Sequence, residues 1–347
     1  MQNNITKFLD TTIRDGGYTI NFQFSVSDIE RIVSALENVG FEYIEIGHGL
    51  GLNASNSQSE KALQTDLEYM QVAKESLKKA QYGMFCIPNI ARLDDIKLAA
   101  ENNMGFIRVG TNVTEIDTAK DYIKEAKNMK MLVMSNLMKS YVVSPDIFGE
   151  YAKKVESYGA DVVYIVDSAG SMLTDDVKRY IEAVRKNTDL KIGFHGHNNL
   201  GLAVANSVAA YEEQIDFVDT TMQGLGRSAG NAAAELVLAV LMKKGYDVHI
   251  DFLELMMKSK ALIHPLVRKH GINPLDVVSG ISEFHSSYLK AIHRISTKYK
   301  VNPLELIMLY SEQERVNLNE ALMEEIAKTM PVSKIATIDL DFWEYLS

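Results

Sequence analysis

The chain has 347 residues, of which 46% are hydrophobic and 24% charged, and a formal net charge of −10. This composition is typical of a soluble globular protein, and the acidity argues against a nucleic-acid-binding protein, which needs a concentrated basic face. The sequence shows no secretion signal, no apolar stretch of about 18 residues that could span a membrane, and a single cysteine, Cys86, which excludes an internal disulfide. We therefore expect a cytoplasmic protein in which Cys86 packs in an apolar run.

Short apolar runs alternate with segments of helical periodicity from residue 8 to about residue 244. Most runs are continuously apolar, as in parallel strands that are covered on both faces. The predicted strands are Phe8–Ile13, Tyr43–Gly47, Tyr82–Ile87, Phe106–Gly110, Met131–Met138, Val162–Val166, Lys191–His195 and Phe217–Met222. The alternation favours an α/β fold, a (β/α)8 TIM barrel. An open doubly wound sheet is the alternative, which the absence of a GxGxxG turn after the first strand weakens.

The helices between these strands are indicated by apolar stripes and by end signals. The segment Ser25–Val39 opens with SVSD, a sequence suited to an N-terminal cap, and Pro145–Tyr158 begins with proline directly after Ser144. Three further helices are predicted later in the chain, at Val177–Asn187, Gly201–Glu213 and Ala232–Lys244.

The pattern changes after Gly245, where strand-like runs stop and helical periodicity continues to about residue 330. We predict a TIM-barrel domain over residues 1–246 and a small helical C-terminal domain over residues 247–347. The polar segment 47–65, rich in Gly, Asn and Ser, is too long for an ordinary strand-to-helix connection. We expect it to be a lid or a specificity loop.

The His195-Gly196-His197 sequence at the end of the seventh strand predicts a metal site. Residues i and i+2 of a strand point to the same face, so both imidazoles can bind one ion. Asp15, after the first strand, is the best candidate for a third ligand, because the carboxyl ends of barrel strands converge on one mouth. Such ligands suit Mn²⁺, Mg²⁺, Co²⁺ or Zn²⁺. The alternative is a pair of structural histidines that cap the strand.

Two further polar side chains are expected at the same mouth. Arg14 could hold a substrate carboxylate and stabilise an enolate oxygen beside the metal, or it could form a structural ion pair with Asp10 or Glu45. His48 closes the second strand, and we expect it to contact substrate or to support a group that does. A purely structural role is the alternative.

Five motifs carry a resemblance to a known family: TTIRDGG, IEIGHG, VDSAG, GFHGHNNLGLAVANS and GLGRSAGN. In this order and spacing, from about residue 6 to 330, the chain resembles the HMG-CoA-lyase-like metal-dependent TIM-barrel enzymes, and among them the 4-hydroxy-2-oxovalerate aldolases. The resemblance implies a carbon–carbon lyase, a class II aldolase that cleaves or forms a 4-hydroxy-2-oxo acid. Its small-molecule partners would be pyruvate and an aldehyde.

The same resemblance implies roles for particular residues. A divalent metal, Mn²⁺ or a similar ion, would chelate the carboxylate and keto oxygen of the 2-oxo acid, and Arg14 would stabilise the enolate. Ser168 would contact the substrate. The implied metal ligands are Asp15, His195 and His197, with Asn231 at or near the metal.

The chain departs from the aldolases at two positions. Tyr18 stands three residues after Asp15, where the aldolases have their proton-abstracting histidine. His285, in FHSSYL, stands where the aldolases have a substrate-contacting tyrosine. Our hypothesis is an exchanged acid–base pair, in which His285 is the base and Tyr18 orients or donates. The alternative is that His285 is a solvated helix residue.

Three other functions remain open at this point. An acetyl-CoA-dependent acyltransferase of the isopropylmalate or citramalate synthase type shares the metal motif. A biotin-dependent carboxyltransferase would need a metal-binding lysine, and Lys139 lies outside a matching context. A non-catalytic subunit is the third, because the aldolases pair with an acylating aldehyde dehydrogenase; the chain could also pair with a second copy of itself.

Overall fold

A computed structural model of the chain describes residues 6–57, 60–267 and 273–333, together with Phe342. Parallel strands form a closed barrel in which each strand bonds its neighbours in chain order. They are β1 (Lys7–Asp10), β2 (Tyr43–Ile46), β3 (Gln81–Cys86), β4 (Phe106–Asn112), β5 (Leu132–Met138), β6 (Val162–Asp167), β7 (Lys191–Gly196) and β8 (Phe217–Thr220). β1 closes the barrel on β8, with Lys7 opposite Phe217 and Asp10 opposite Thr220. The predicted barrel is confirmed, and the open sheet is wrong.

Helices surround the barrel and continue beyond it. They are α1 (Val26–Val39), α2 (Ala54–Ser57), α3 (Asp66–Ser76), α4 (Leu93–Glu101), α5 (Lys120–Asn128), α6 (Pro145–Tyr158), α7 (Thr174–Asn187), α8 (Ala203–Glu212), α9 (Ala234–Lys243), α10 (Phe252–Leu262), α11 (Pro274–Ile281), α12 (Leu289–Tyr299), α13 (Pro303–Ser311) and α14 (Glu320–Thr329). The expected caps are present. Ser25 and Asp28 form a reciprocal capping box at the start of α1, and the Ser144 side chain accepts from the Ile147 amide at the start of α6.

The first strand ends earlier than the sequence predicts. Residues Thr11 to Ile13 were expected to extend it, but the Asp10 carboxylate accepts hydrogen bonds from the Thr12 amide at 2.9 Å and the Thr12 hydroxyl at 2.8 Å. This side-chain turn competes with the strand ladder. The chain then turns, with the Asp15 amide donating to the Thr11 carbonyl at 2.9 Å. The early turn is what carries Arg14 and Asp15 over the mouth of the barrel.

Apolar side chains form separate clusters inside the barrel, around it, and in the C-terminal helices. The interior cluster contains Leu9, Phe106, Met134, Val162, Tyr164, Val166 and Phe217. A larger cluster fills the space between the strands and the surrounding helices and includes the buried Cys86. Among the described residues, no helix is both long and apolar enough to cross a membrane.

The third cluster belongs to helices α11 to α14 and includes Leu275, Ile292 and Tyr310. In contrast, Leu255 of α10 belongs to the large cluster around the barrel, and α10 packs on α1 and α9. The division into residues 1–246 and 247–347 stays a prediction. We propose that the separate core of the helical unit begins at Leu275.

Candidate active site

Asp15, His195 and His197 meet at the carboxyl end of the barrel, where one ligand atom of each lies within 4.8 Å of the others. Their exposed fractions are 1%, 3% and 4%. His195 lies in β7 and His197 follows the strand end, so the alternation of the strand places both side chains on one side. The structure thus brings together the three residues that the sequence selects. Their role as metal ligands stays a prediction.

The protonation of this triad suits a divalent cation. The Nδ1 atom of His195 lies 2.9 Å from Asp219 Oδ2, so the carboxylate accepts the Nδ1 proton and leaves Nε2 available. Burial lowers the pKa of His197 to about 3, and its Nδ1 has no hydrogen-bond partner. Burial acts to raise the pKa of Asp15, but the Arg14 guanidinium and the two histidines hold it below the usual range. An open Nε2 on His195, a neutral His197 and an ionised Asp15 are the donors that such a metal requires.

Asn231 adds an unsatisfied oxygen beside the triad. Its amide nitrogen donates to Asp15 Oδ2 at 2.6 Å and to the Leu225 carbonyl at 3.3 Å, whereas its Oδ1 is buried without a partner. A buried amide oxygen without a donor is costly unless a ligand satisfies it. This position fits the predicted role at or near the metal, which stays a prediction.

Arg14 forms the predicted ion pair with Glu45 and lies beside the triad, while its role in substrate binding stays a prediction. Its Nη1 donates to Asp15 Oδ1 at 2.7 Å, and its Nε donates to Glu45 Oε2 at 2.8 Å. The guanidinium also lies over the Phe85 ring, 5.1 Å from its centre. The structural ion pair with Glu45 therefore exists and fixes Arg14 next to the triad, so the two interpretations do not exclude each other.

Arg108 lies fully buried inside the barrel and was missed by the sequence analysis. Its guanidinium donates to Glu45 Oε2 at 2.8 Å and to Asp219 Oδ2 at 2.6 Å, and it covers the Tyr164 ring at 4.4 Å. The signal was an arginine in the middle of the apolar run FIRVG. Such a residue must have buried partners, but the sequence does not show which ones.

These contacts form a row of alternating charges beneath the triad. We call its members the charge chain: Asp15, Arg14, Glu45, Arg108 and Asp219. The charge chain begins at Asp15, which belongs to the triad. It ends at Asp219, which accepts a hydrogen bond from His195, a second member of the triad. Two of the three triad side chains are thus oriented by one continuous hydrogen-bonded network.

Ser168 and Lys139 lie next to each other at the ends of β6 and β5. The Ser168 hydroxyl accepts from the Lys139 amide at 3.0 Å, which leaves its own proton to donate. The Lys139 ammonium bonds the Tyr288 hydroxyl at 2.7 Å and the Val316 carbonyl. Burial lowers the pKa of Lys139 to about 8. Ser168 therefore has a hydroxyl proton free to donate at the mouth, and its contact with substrate stays a prediction.

Tyr18 and His285 lie on either side of Arg227, a second residue that the sequence analysis did not single out. Arg227 Nη2 lies 2.8 Å from His285 Nε2, and its guanidinium lies 5.3 Å from the centre of the Tyr18 ring. Because a guanidinium only donates, Nε2 of His285 accepts, and its Nδ1–H donates to the Ser287 hydroxyl at 2.6 Å. The only earlier signal for Arg227 was its place in the GLGRSAGN motif.

The environments of these two side chains set their protonation. His285 is 8% exposed, so the alternative of a solvated helix residue is wrong. Burial, followed by the charges of Arg227 and Lys139, lowers the pKa of His285 well below its ordinary value. Burial raises the pKa of Tyr18. At neutral pH the site therefore contains a neutral imidazole and a neutral phenol.

His48 is bonded to its own loop. Its Nδ1 accepts from the Leu50 amide at 3.1 Å, its Nε2 lies 3.0 Å from the Glu60 carbonyl, and its ring stacks on Phe22 at 3.8 Å. Both ring nitrogens are occupied by backbone groups of segment 47–65. The structure therefore favours a positioning role for that segment, and the expected substrate contact of His48 stays without support.

Comparison with known proteins finds a matching family model and relatives that are similar over most of the chain. A family model described as HMGL-like matches residues 6–262. A 4-hydroxy-2-oxovalerate aldolase of Carboxydothermus hydrogenoformans is 35% identical, over 92% of this chain and 96% of that protein. An oxaloacetate decarboxylase of Mycobacterium tuberculosis is 36% identical, over 78% of this chain and 81% of that protein.

Solved structures support the fold at lower identity. The HMG-CoA lyase of Bacillus subtilis superposes with a TM-score of 0.64 and 18% identity, over 76% of this chain and 94% of that chain. The carboxyl transferase domain of Rhizobium etli pyruvate carboxylase gives a TM-score of 0.76 and 16% identity, over 94% of this chain and 61% of that chain. At these identities the likeness concerns the barrel and its helical extension alone.

Proposed function

The chain belongs to the HMGL-like family, and from that premise we propose that it is a divalent-metal-dependent class II aldolase. It would cleave or form a 4-hydroxy-2-oxo acid, with pyruvate and an aldehyde as the other reactants. The observation that carries this proposal is the buried triad of Asp15, His195 and His197 with Arg14 on its edge, in a chain 35% identical to a 4-hydroxy-2-oxovalerate aldolase.

The residues present fit a metal ion. Asp15, His195 and His197 would hold it, and the unsatisfied Oδ1 of Asn231 would face it. The ion, which we propose is Mn²⁺, would supply Lewis acidity to a chelated 2-oxo acid. The charge chain keeps Asp15 ionised and the His195 Nδ1 proton on the side away from the ligand position.

Arg14 and Ser168 would bind the substrate around its keto acid end. Arg14 is fixed by Glu45 and Asp15, so its guanidinium can stabilise a developing enolate oxygen without reorganising. Ser168 has a hydroxyl proton to donate and accepts from the Lys139 amide. Both groups are rigidly held before substrate arrives, which is the condition under which such donors contribute most.

Cleavage requires removal of the proton from the 4-hydroxyl group, and we assign this step to His285. Its imidazole is neutral, but Nε2 accepts from Arg227. The nitrogen can take a proton only when Arg227 turns away from it. Tyr18, a neutral phenol across Arg227, would then orient or donate to the hydroxyl group.

One assay tests the proposal. The protein is incubated with 4-hydroxy-2-oxo acids, with Mn²⁺ or with EDTA, and pyruvate is measured by coupling to lactate dehydrogenase. We expect pyruvate release that EDTA abolishes and Mn²⁺ restores. Turnover that depends on acetyl-CoA would instead indicate an acyltransferase, and silence with a wide range of substrates would indicate a non-catalytic subunit.

Two variants test the acid–base assignment. We expect His285→Ala to lower kcat for cleavage by about 10²- to 10⁴-fold, because it removes the base. Tyr18→Phe should have a smaller effect. The assignment is wrong if His285→Ala leaves turnover at saturating substrate unchanged while Tyr18→Phe abolishes it.

Oxaloacetate decarboxylation is a second candidate, favoured by the 36% identical decarboxylase of Mycobacterium tuberculosis. Loss of CO₂ from oxaloacetate gives the same pyruvate enolate but needs no proton removed from a hydroxyl group. The same assay with oxaloacetate as substrate measures it. In that reaction His285→Ala should retain activity within a few-fold, which separates the two functions.

We retain as proposals the cytoplasmic location and a pairing with an acylating aldehyde dehydrogenase or a second copy of the chain. Size-exclusion chromatography with light scattering would distinguish a monomer from a homodimer. Co-expression with such a dehydrogenase would test the other pairing.

A further inference from the structure

Arg227 is a cation at the active site without an acidic partner. In the part of the chain that the structure describes, no carboxylate lies within ion-pair distance of its guanidinium. Its side-chain hydrogen bond is the one to His285 Nε2, and its own Nε is buried without a partner. Arg14 and Arg108, in contrast, each contact two carboxylates. Arg227 as a whole is half-buried, but a buried donor such as its Nε that lacks an acceptor is costly.

Arg227 lies directly beside the triad. A Cβ atom added to the preceding residue, Gly226, would lie 2.3 Å from Asn231 Nδ2 and 2.9 Å from Asp15 Oδ2. From this position the side chain extends toward His285, which directly precedes the short turn before α12. The guanidinium therefore lies between the metal triad and the helical unit, on the side where the far end of a substrate would extend.

Lys139 is a second cation on this side. It is 4% exposed, and its ammonium is bonded to the Tyr288 hydroxyl and the Val316 carbonyl, both neutral groups. Lys139 reaches the His285 surroundings through Tyr288, whose ring centre lies 5.5 Å from that of His285, and Arg227 bonds the same imidazole. Among the described residues, neither cation forms an ion pair, although the net charge of the chain is −10. A negatively charged ligand would compensate them.

We propose that Arg227, supported by Lys139, recognises an acidic group at the far end of the substrate, so that the preferred aldehyde carries a carboxylate or a phosphate. This inference rests on the proposed aldolase function and names its substrate class. Arginine presents a planar fork of donors that matches such oxygen groups. To bind one, Arg227 would turn from His285 Nε2, and that nitrogen would then be able to accept the 4-hydroxyl proton.

The first test measures aldol formation from pyruvate with three kinds of aldehyde. These are propanal, which is neutral, succinic semialdehyde, which carries a carboxylate, and glyceraldehyde 3-phosphate. We expect kcat/KM for at least one acidic aldehyde to exceed that for propanal by about tenfold or more. The acidic aldehyde with the higher kcat/KM shows whether the site prefers a carboxylate or a phosphate. Equal or better use of propanal overturns the proposal.

Arg227→Met supplies the specificity control. It should raise KM for the acidic aldehyde by about tenfold or more and abolish the preference. Arg179→Met, at an exposed position of α7, should leave the preference unchanged. If Arg227→Met lowers kcat/KM equally for all aldehydes, Arg227 only supports His285, and the proposal fails.

A binding measurement separates this proposal from the aldolase function on which it rests. The Mn²⁺-loaded protein is titrated calorimetrically with 2-oxoglutarate and with 2-oxopentanoate, which has a methyl group in place of the distal carboxylate. We expect 2-oxoglutarate to bind about tenfold more tightly or better, and Arg227→Met to remove the difference. If the difference appears while no aldehyde reacts, the aldolase function fails and the anion site stands. If aldehydes react but the two ligands bind equally, or if Arg227→Met keeps the difference, the anion site fails.

Discussion

The tautomer and orientation of the His195 imidazole depend on a residue outside the His-Gly-His sequence. Asp219, in β8, accepts the Nδ1 proton at 2.9 Å and is itself bonded to Arg108 at 2.6 Å. Burial acts to raise the pKa of Asp219, but Arg108 and His195 hold it below the usual value, so the carboxylate is ionised. It therefore fixes both the tautomer and the direction of the imidazole.

Asp219→Asn tests this dependence. An amide accepts the Nδ1 proton more weakly and leaves Arg108 without a charge partner, so we expect the affinity for Mn²⁺ to fall roughly 10- to 100-fold. Isothermal titration calorimetry measures it. Asp247→Asn, at an exposed position, is the control and should bind Mn²⁺ like the unchanged chain. Equal affinities for both variants would contradict the role of Asp219.

At the scale of residues, the sequence is sufficient where the chemistry is local. Strand alternation alone places His195 and His197 on one side, and convergence of strand ends adds Asp15. Arg227 and Arg108 could not be assigned in this way, because their partners come from elements 58 and 63 residues away or more. A charged residue in an uncharged stretch can be recognised from the sequence. Its function cannot, because that depends on which distant groups the fold brings next to it.

The loop after β8 is packed closely against the triad at Gly226. Gly226→Ala should disturb it, because the added Cβ would meet the side chains of Asn231 and Asp15. We expect the affinity for Mn²⁺ to fall about tenfold or more, since both side chains would have to move. Calorimetric titration measures this change.

Gly159→Ala is the matched control for that loop. Gly159 ends α6 at φ 107°, where an added Cβ meets only the Lys127 side chain, at 3.7 Å or more. The change should cost about 1 kcal/mol of stability through backbone strain but leave Mn²⁺ binding unchanged. If Gly226→Ala binds Mn²⁺ as well as Gly159→Ala does, the loop does not constrain the triad.

The end of β1 makes stability depend on pH. Burial raises the pKa of Asp10 to about 7, against the lowering effect of its hydrogen bonds from Thr12. The folded chain therefore retains a proton that the unfolded chain loses near pH 4. This contribution to stability is fully present below pH 4 and is lost as the pH rises through 7.

Asp10→Asn should reduce that dependence. Between pH 5 and pH 8 we expect the free energy of unfolding to fall more for the unchanged chain than for the variant, because the amide cannot ionise. Urea unfolding of both proteins, in EDTA at the two pH values, measures the difference. The depressed pKa of Asp15 does not interfere, because its contribution is lost only as the pH falls below about 4. Identical losses for the two proteins would show that Asp10 does not titrate in this range.

The bounds of helices and strands were predicted to within a few residues where the pattern of apolar residues determines them. α6 begins and ends where its Ser-Pro start and its periodicity place it, and β4 continues two residues beyond its predicted end. The error at β1 has a physical cause, since Asp10 turns the backbone through its own side chain. The periodicity of apolar residues carries no information about such a hydrogen bond, which competes with those of the strand.

For the whole molecule, the barrel and the helical unit contribute different parts of the site. The metal triad lies entirely on barrel elements, whereas His285 lies on the helical unit, which has its own apolar cluster. Damage to that cluster should therefore affect proton transfer and spare metal binding.

Ile292→Ala tests this separation. Ile292 is completely buried in α12, so the cavity should lower stability by about 2–5 kcal/mol. We expect aldol cleavage to fall while Mn²⁺ affinity stays unchanged. Met308→Ala, at a side chain of α13 that is 48% exposed, should change stability by less than about 0.5 kcal/mol. Loss of Mn²⁺ affinity in Ile292→Ala would show that the triad depends on the helical unit.

The overall architecture was predictable because eight alternating units leave few other arrangements. The meeting of Arg227 and His285 was not, because it depends on how the helical unit rests on the barrel. Asp276 of α11 illustrates this, since it accepts from Ser228 in the loop after β8 at 2.9 Å. Nothing in the helical periodicity of α11 indicates that partner.

The charge chain has a consequence for the order in which products leave. Its three carboxylates and two guanidinium groups leave one negative charge, which a divalent ion converts to one positive charge. A bound 2-oxo acid monoanion then makes this region electroneutral. Departure of pyruvate recreates the positive charge on the charge chain and its ion, in a buried, weakly screened place, whereas departure of the aldehyde leaves the charge of this row unchanged and uncovers only the cations at Arg227 and Lys139. We therefore expect the aldehyde to leave first and pyruvate last, with pyruvate as a competitive inhibitor of cleavage.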